Sequence, residues 1–154
     1  ESIDIPSGVT TIEKYALQYC SKIKTLEIPD TVTTIEGNAL ADMRSVEYFS
    51  VSENNENFYI IDGALYSKGT TKLYFYPQGK NIEAFTVPSH VTTLGTGCFG
   101  IHKYLKDIYV PETVTTVEEY TITNAYHPDL HTPIGSAFEQ YCIESTHSYD
   151  NEMI

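Results

Sequence analysis

The chain has no tryptophan, only three cysteines, and no lysine or arginine beyond residue 106. Each shortage excludes something. Nine basic residues against 21 acidic ones leave a net charge of −12. No basic stripe exists to neutralise phosphates, so nucleic acid and anionic membrane are poor partners. The imbalance is local: residues 107–154 carry nine acids and no base, while residues 1–106 carry twelve acids and nine bases. The plain meaning of such a surface is solubility; a basic partner or a divalent cation is the sharper one. No run of 18 apolar residues occurs, so no segment reads as a membrane-spanning helix. G-x-S-x-G, H-E-x-x-H and C-x-x-C are all absent, which removes the usual local signs of a hydrolase elbow, a zinc protease or a redox pair.

What the chain has is repetition. Ile5-Pro6-Ser7-Gly8-Val9-Thr10-Thr11-Ile12 returns at Ile28–Ile35, Val87–Leu94 and Val110–Val117, each as apolar-Pro-x-x-Val-Thr-Thr-apolar. The first two copies and the last two are each 23 residues apart; the middle gap accommodates one 23-residue unit and one of 36. A fixed period of this length is the mark of a solenoid. The units run 3–25, 26–48, 49–84, 85–107 and 108–122. A C-terminal cap is expected at 123–145 and a polar tail at 146–154, all within a single domain.

Each unit reads as a physical object. Ile3, Leu26, Phe49, Phe85 and Ile108 occupy one slot, and Ile5, Ile28, Val51, Val87 and Val110 the slot two residues on. That alternation is a short strand with one buried face. Proline follows in four units and, lacking an N–H, ends the ladder. Val-Thr-Thr-apolar favours a second short extended segment. Ile12, Ala16, Leu17 and Cys20, matched by Ile35, Ala39, Leu40 and Met43, then suggest a short helical or 3-10 piece. Each buried Leu or Ile contributes roughly 1.5–3 kcal/mol, and no single unit buries enough alone, so stability is shared between neighbours. The five strands are expected side by side in one parallel sheet, with Val9, Val32, Val91 and Val114 buried.

Unit three departs. Ser52 replaces the proline and Asn55 the valine, in a polar stretch that reads as a loop. Asp62-Gly63 between apolar runs is a strong hairpin signal, and Leu73-Tyr74-Phe75-Tyr76 makes a third strand before Pro77. The extra residues therefore build an antiparallel meander. After Ile122 the register is lost. Ser136 with Glu139 forms a capping box that starts a helix running to about Ile143.

The recurring Ile-Pro-x-x-Val-Thr-x-Ile-x-x-x-Ala-Phe phrase resembles the BspA-like bacterial leucine-rich repeat over residues 3–122, with Leu17, Leu40, Phe99 and Ile122 in the usual Phe slot. The Asp-Gly-x-Leu-Tyr…Tyr-Pro insertion and the Gly135-Ser136…Tyr141 element are similar to features of that family. The resemblance implies a secreted or cell-surface bacterial protein, several relatives being regarded as adhesins for host proteins. It points to a non-catalytic binding module for a protein or glycan, with structural spacer repeats as the alternative, and to no cofactor. The chain opens directly on a strand at Ser2-Ile3, so further repeats or a signal sequence are expected before Glu1. The uncovered apolar edge of the first coil invites self-association.

Several constellations tempt and fail. Gly95-Thr96-Gly97-Cys98-Phe99-Gly100 matches G-x-G-x-x-G, but its glycines fall on ordinary repeat slots with no βαβ unit around them. His127 and His131 flank Pro128-Asp129, yet Pro128 argues against the helix that would align them on zinc. His102 occupies a core slot, where a satisfied structural histidine is expected. Cys20 and Cys98 lie three rungs apart, about 14 Å at about 4.8 Å per rung, too far for a disulfide; Cys98 with Cys142 stays open, and buried thiols are expected otherwise. The aromatic residues are more informative. The outward positions of the sheet carry small or acidic groups between two tyrosines, Tyr48 and Tyr109. Exposed tyrosines suit protein or carbohydrate contact. The candidate partner site is therefore Tyr48 and Tyr109, with Glu27 and Asp107 steering a basic group, and Tyr74 and Tyr76 of the meander next. The plain alternative is that these rings merely cover the sheet and pack the meander.

Overall fold

The computed structural model describes residues 2–69, 71–122 and 128–148, the last three by their backbone alone. The chain runs through β1 (Ser2–Ile3), β2 (Thr11–Ile12), β3 (Thr25–Ile28), β4 (Thr34–Ile35) and β5 (Tyr48–Val51). The insertion supplies β6 (Phe58–Ile61), β7 (Ala64–Ser67) and β8 (Lys72–Phe75). Then follow β9 (Ala84–Thr86), β10 (Thr93–Leu94), β11 (Asp107–Tyr109), β12 (Thr116–Val117), β13 (Asp129–His131) and the helix α1 (Ala137–Ser148).

The coils stack as a β-solenoid because equal slots of the repeat attract equal slots. Ile3, Leu26 and Phe49 lie side by side in parallel β1, β3 and β5. Phe85, Ile108 and Leu130 do the same in β9, β11 and β13. Ile12 pairs with Ile35, and Leu94 with Val117, in a second set of parallel strands. Val32, Val91 and Val114 are buried; Val9 is only half-buried, since the first coil is covered on one side. β13 restores the register that the sequence loses after Ile122. Leu130 and Pro133 stand 22 residues after Ile108 and Pro111, one short of the period, which hides the sixth rung from a search at 23.

The five strands do not form one sheet. β1-β3-β5 and β9-β11-β13 are separate three-stranded sheets. Between them sits the insertion's hairpin turn: the Phe49 N–H, which points toward the next rung, donates to the Gly63 carbonyl at 3.1 Å. Asp62 and Gly63 both have positive φ (50° and 83°), as the Asp-Gly signal demands. A Cβ on Gly63 would also lie 3.3 Å from the Tyr48 Cβ, so glycine lets the turn close on the sheet edge.

The meander is antiparallel, β6 on β7 and β7 on β8. Its third strand then does something the sequence did not disclose: β8 pairs in parallel with β10, Leu73 beside Leu94. Thus β8 serves as unit three's rung in the second ladder, giving the order β12-β10-β8-β7-β6. Phe58, Leu65 and Phe75 enter a core with units one and two, and Ala64, Tyr66, Leu73 and Tyr76 a core with units four and five; Leu73 and Phe75 part to opposite cores where the β7–β8 register shifts between Leu65 and Tyr66. The meander is the wall between the two cores, and every residue of β7 is buried.

The short pieces after each Val-Thr-Thr segment are not helices. Their hydrogen bonds span three residues, from the Ala16, Gln18 and Cys20 N–H groups to the Glu13, Tyr15 and Leu17 carbonyls. Left-handed residues at Tyr15, Tyr19, Asn38, Asp42, Gly97 and Tyr120 interrupt each run. At the outer positions of this turn face unit three contributes no rung. Only three residues lead from Leu73 to Tyr76, against five from Leu94 to Phe99, so the chain takes an inner path and the turns of units two and four meet over it. A Cβ on Gly37 would touch the Thr96 side chain at 3.2 Å, and one on Gly97 would lie 2.5 Å from Asn38 Oδ1. Gly97, with φ 69°, is therefore required by both conformation and contact; no phosphate is needed to explain it. At the C-terminus Ser136 caps α1 through the Glu139 N–H (3.0 Å), and the Glu139 carboxylate returns to the Gly135 N–H (2.6 Å). The helix extends past Ile143 to Ser148.

Two polar ties secure the irregular unit. Asn55, in the valine slot, is 1% exposed. Its Nδ2 donates to the Pro29 and Val32 carbonyls (2.6 and 3.0 Å), and its Oδ1 accepts from the Asn57 and Phe58 N–H groups (2.8 and 2.9 Å). Asn55→Val restores the repeat's residue but strands these backbone groups, and should lower unfolding free energy by about 2–3 kcal/mol in denaturant titration. The second tie is Glu118, whose Oε1 accepts from Lys72 Nζ (2.6 Å) and whose Oε2 accepts from the Thr96 N–H and hydroxyl (2.9 and 2.8 Å). Burial alone would raise the Glu118 carboxyl, but the bonds from Lys72 and Thr96 outweigh it and hold it below its usual range. A folded-state value below the unfolded one gives stability that is complete above the ordinary carboxylate range and lost as pH falls through the lowered value. Glu118→Gln should cost about 1–2 kcal/mol at pH 7, and the gap to wild type should close as pH drops below 4.5, the ordinary value.

Candidate partner-binding surface

The sheet face presents the side chains that flank the buried strand residues. On the first sheet these are Ser2, Thr25 and Tyr48 in one row and Glu27 with Ser50 in the next. On the second they are Ala84, Asp107 and Asp129, then Thr86, Tyr109 and His131. Period-two alternation alone puts them there.

Tyr48 and Tyr109 are both exposed, 50% and 42%. They do not share a sheet: Tyr48 sits on the edge strand β5 beside the hairpin turn, and Tyr109 on the middle strand of the second sheet. Glu27 is exposed and lies diagonally across from Tyr48 on the adjacent strand. Asp107 and Tyr109 are brought together, and with them His131, which the sequence suggested only as a metal ligand. His131 stacks on the Tyr109 ring (centres 4.3 Å apart, 12° between planes), and its Nε2 is 2.8 Å from Asp107 Oδ1. The signal for it was the 22-residue step that makes His131 the equivalent of Tyr109.

The meander candidates fare differently. Tyr76 is 2% exposed and is no surface residue; its ring lies 4.7 Å from Phe85 and 6.0 Å from Phe99. The Tyr76 N–H donates to the Cys98 carbonyl just as those of Leu17 and Phe99 donate to Ala39 and Thr121. Tyr76 is thus unit three's core residue, and burial pushes its hydroxyl pKa up. Tyr74 is half-buried, edge-on to Phe58 at 5.4 Å, with Lys72 Nζ 4.8 Å from its ring centre.

Of the remaining sequence candidates, His127 lies outside the described residues. His102 is buried as expected, but neither ring nitrogen has a partner among the described residues, and burial lowers its pKa, keeping it neutral. Cys20, Cys98 and Cys142 are all free thiols, so the pairing left open between Cys98 and Cys142 is not made. Burial, then the nearby Glu139, pushes the Cys142 thiol up to about 11. Such thiols are poor nucleophiles. Among the described residues no three His, Cys, Asp or Glu side chains gather as metal ligands.

This geometry agrees with what the chain is similar to. The BspA type leucine rich repeat region matches residues 1–70 and 70–149, in six copies. No curated protein matches. Among solved structures, a leucine-rich repeat protein from Eubacterium ventriosum ATCC 27560 superposes with a TM-score of 0.72 at 28% identity, covering 85% of this chain and 41% of its own. The pneumococcal vaccine antigen PcpA follows at 0.67 and 28%, covering 71% of this chain and 27% of its own. A leucine rich cell surface protein from Faecalibacterium prausnitzii A2-165, at 0.67 and 23% identity, covers 82% and 40% and shares the fold. The chain thus spans less than half the length of each of these structures. With the solenoid register, the Asp-Gly insertion and the match over nearly its whole length, the chain belongs to the BspA type leucine-rich repeat family.

Proposed function

We infer that the chain is a non-catalytic binding module of a secreted or cell-surface bacterial protein, holding a protein partner on its sheet face. The observation that carries this reading is the Tyr109–His131–Asp107 cluster: an exposed aromatic stack with a carboxylate at its side. Stacked rings offer a rigid, partly polar platform, and aromatic anchors typically carry most of an interface's energy. Asp107, with Asp129 beside it and Glu27 on the first sheet, favours a basic group on the partner. The cell-surface relative and the antigen among the structural neighbours support the setting.

The test is solid-phase binding of the purified chain to immobilised extracellular host proteins. Tyr109→Ala and Asp107→Asn should each weaken saturable binding roughly tenfold, about 1.4 kcal/mol, and Tyr48→Ala should do so where the partner spans both sheets. Thermal stability should stay nearly unchanged, because these side chains are exposed. Saturable binding that survives the Tyr48→Ala, Tyr109→Ala double substitution removes the sheet face from the account, and no binding at all leaves the spacer reading.

β1 and β2 are edge strands of their sheets, with Ile3, Ile5 and Val9 half-covered. Where no preceding coil covers it, this edge would self-associate through its backbone groups and apolar side chains; where further repeats precede Glu1, they would cover it. Sedimentation velocity across concentration should show the self-association, and Ile3→Lys with Ile5→Lys should suppress it.

A further inference from the structure

The turn face carries a second feature, independent of the sheet face. Positions 15, 38, 97 and 120 are one slot of the repeat, and all four are left-handed: Tyr15 (φ 66°), Asn38 (62°), Gly97 (69°) and Tyr120 (57°). Asn and Gly are the residues that relax in this conformation. Tyr is not, and its bulk makes the position strained. Packing does not explain the two tyrosines, since Tyr15 is 49% exposed and Tyr120 55% exposed. Strain kept at a residue the core does not use is characteristic of ligand clamps.

Because unit three gives this outer slot no rung, the four positions are consecutive. Three steps of about 4.8 Å place Tyr15 and Tyr120 roughly 14 Å apart, with Asn38 and Gly97 between them. Together they bound a groove of about 290 Å³ whose floor includes Ala41 and Gly100, with Gln18 and Asp42 on its side. That volume sits at the small end of ligand sites.

The lining narrows the occupant. No lysine or arginine lines the groove, so phosphate, sulfate and acidic sugars have no counter-charge. The floor has no pocket of Leu, Ile or Phe to take an apolar anchor from a protein. What it offers are two flat rings and three planar polar groups: the Gln18 and Asn38 amides, which donate to and accept from hydroxyls, and the Asp42 carboxylate, which accepts from them. A ligand with apolar C–H faces and hydroxyl edges matches both. Lys14 Nζ lies 5.0 Å from the Tyr15 ring centre but does not line the groove. We propose that the groove between Tyr15 and Tyr120 is a binding site for a short neutral oligosaccharide, its sugar rings stacked on the two tyrosines and its hydroxyls held by Asn38, Gln18 and Asp42.

The slot itself supplies the test. Asn stands at position 38 in the same conformation, so Tyr15→Asn and Tyr120→Asn should fold and, by relieving strain, keep or raise Tm by about 2–4 °C. The chain and both variants are applied to a printed array of neutral and sialylated glycans, with calorimetry on the best neutral trisaccharide. Saturable binding to a neutral glycan, weakened at least tenfold by either substitution and unchanged by Tyr48→Ala with Tyr109→Ala, supports the site and separates it from the sheet face. Three outcomes overturn it: no neutral glycan bound, neutral binding that survives the Tyr15→Asn, Tyr120→Asn double substitution, or sialylated glycans bound as well as neutral ones.

Discussion

A coil in this solenoid points half its strand N–H and carbonyl groups at the coil after it, and they are satisfied only if that coil arrives in register. The same holds for its apolar slots, which are buried only by their equivalents one rung away. A 23-residue period meets both demands at once. A 36-residue coil breaks both, and most of the unusual chemistry in the chain answers that break. Gly63 puts a turn carbonyl where the Phe49 N–H expects a strand. Asn55 gives up a valine's packing to bind two carbonyls of the coil below and two N–H groups of its own loop. Gly79 donates its N–H to Val46, at an approach where a Cβ would lie 2.6 Å from the Ser45 backbone. β8 resumes the second ladder, so the coils above it see an ordinary neighbour.

The repair changes how the molecule is divided. Without the insertion, one core would run the length of the stack. With it, β7 faces two cores and belongs to both, Leu65 on one side and Tyr66 on the other. The two halves therefore meet across a strand that is itself fully buried, and a loss of packing on either side of β7 is felt by the other. Tyr66 and Tyr76 pack their rings in the second core while their hydroxyls find no partner among the described residues. Ring burial outweighs the hydroxyl's cost there, since an aromatic ring removes a large apolar area from water against about 1–3 kcal/mol for one unsatisfied polar group.

Much of this was legible in the residues. Exact recurrence of Ile-Pro-x-x-Val-Thr-Thr-Ile gave the coil, its strand register and the parallel pairing, because alternation and proline placement act locally. Asp62-Gly63 announced a hairpin for the same reason. What stayed hidden was relational. No local rule says that β8 will take a rung of the second ladder, or that Tyr76 fills the slot of Leu17 and Phe99; both depend on how far the chain travels inside the stack. Spacing of i, i+4, i+5 suggested helical pieces, yet it equally fits a run of tight turns, and the left-handed residues decide between them. For the sheet-face candidates, alternation found Tyr48, Tyr109, Glu27 and Asp107 as outward residues. It missed that the meander separates the first tyrosine from the second, and it counted Tyr76 as surface because a strand was expected where the core passes.

The two faces differ in what their tyrosines cost the fold. On the sheet face Tyr48 and Tyr109 sit in extended backbone, where aromatic residues are at home, and a bare structural role would suffice to keep them. On the turn face the repeat itself shows what the backbone prefers: one slot holds Asn38 and Gly97 at its relaxed positions and Tyr15 and Tyr120 at its strained ones. Non-glycine residues in this region cost on the order of 1–3 kcal/mol each, in a chain whose whole stability is roughly 5–15 kcal/mol. Half-exposed rings return little of that through burial. The fold would be served better by Asn or Gly at both positions, and contact with a ligand from solvent would account for the two strained tyrosines that line one groove.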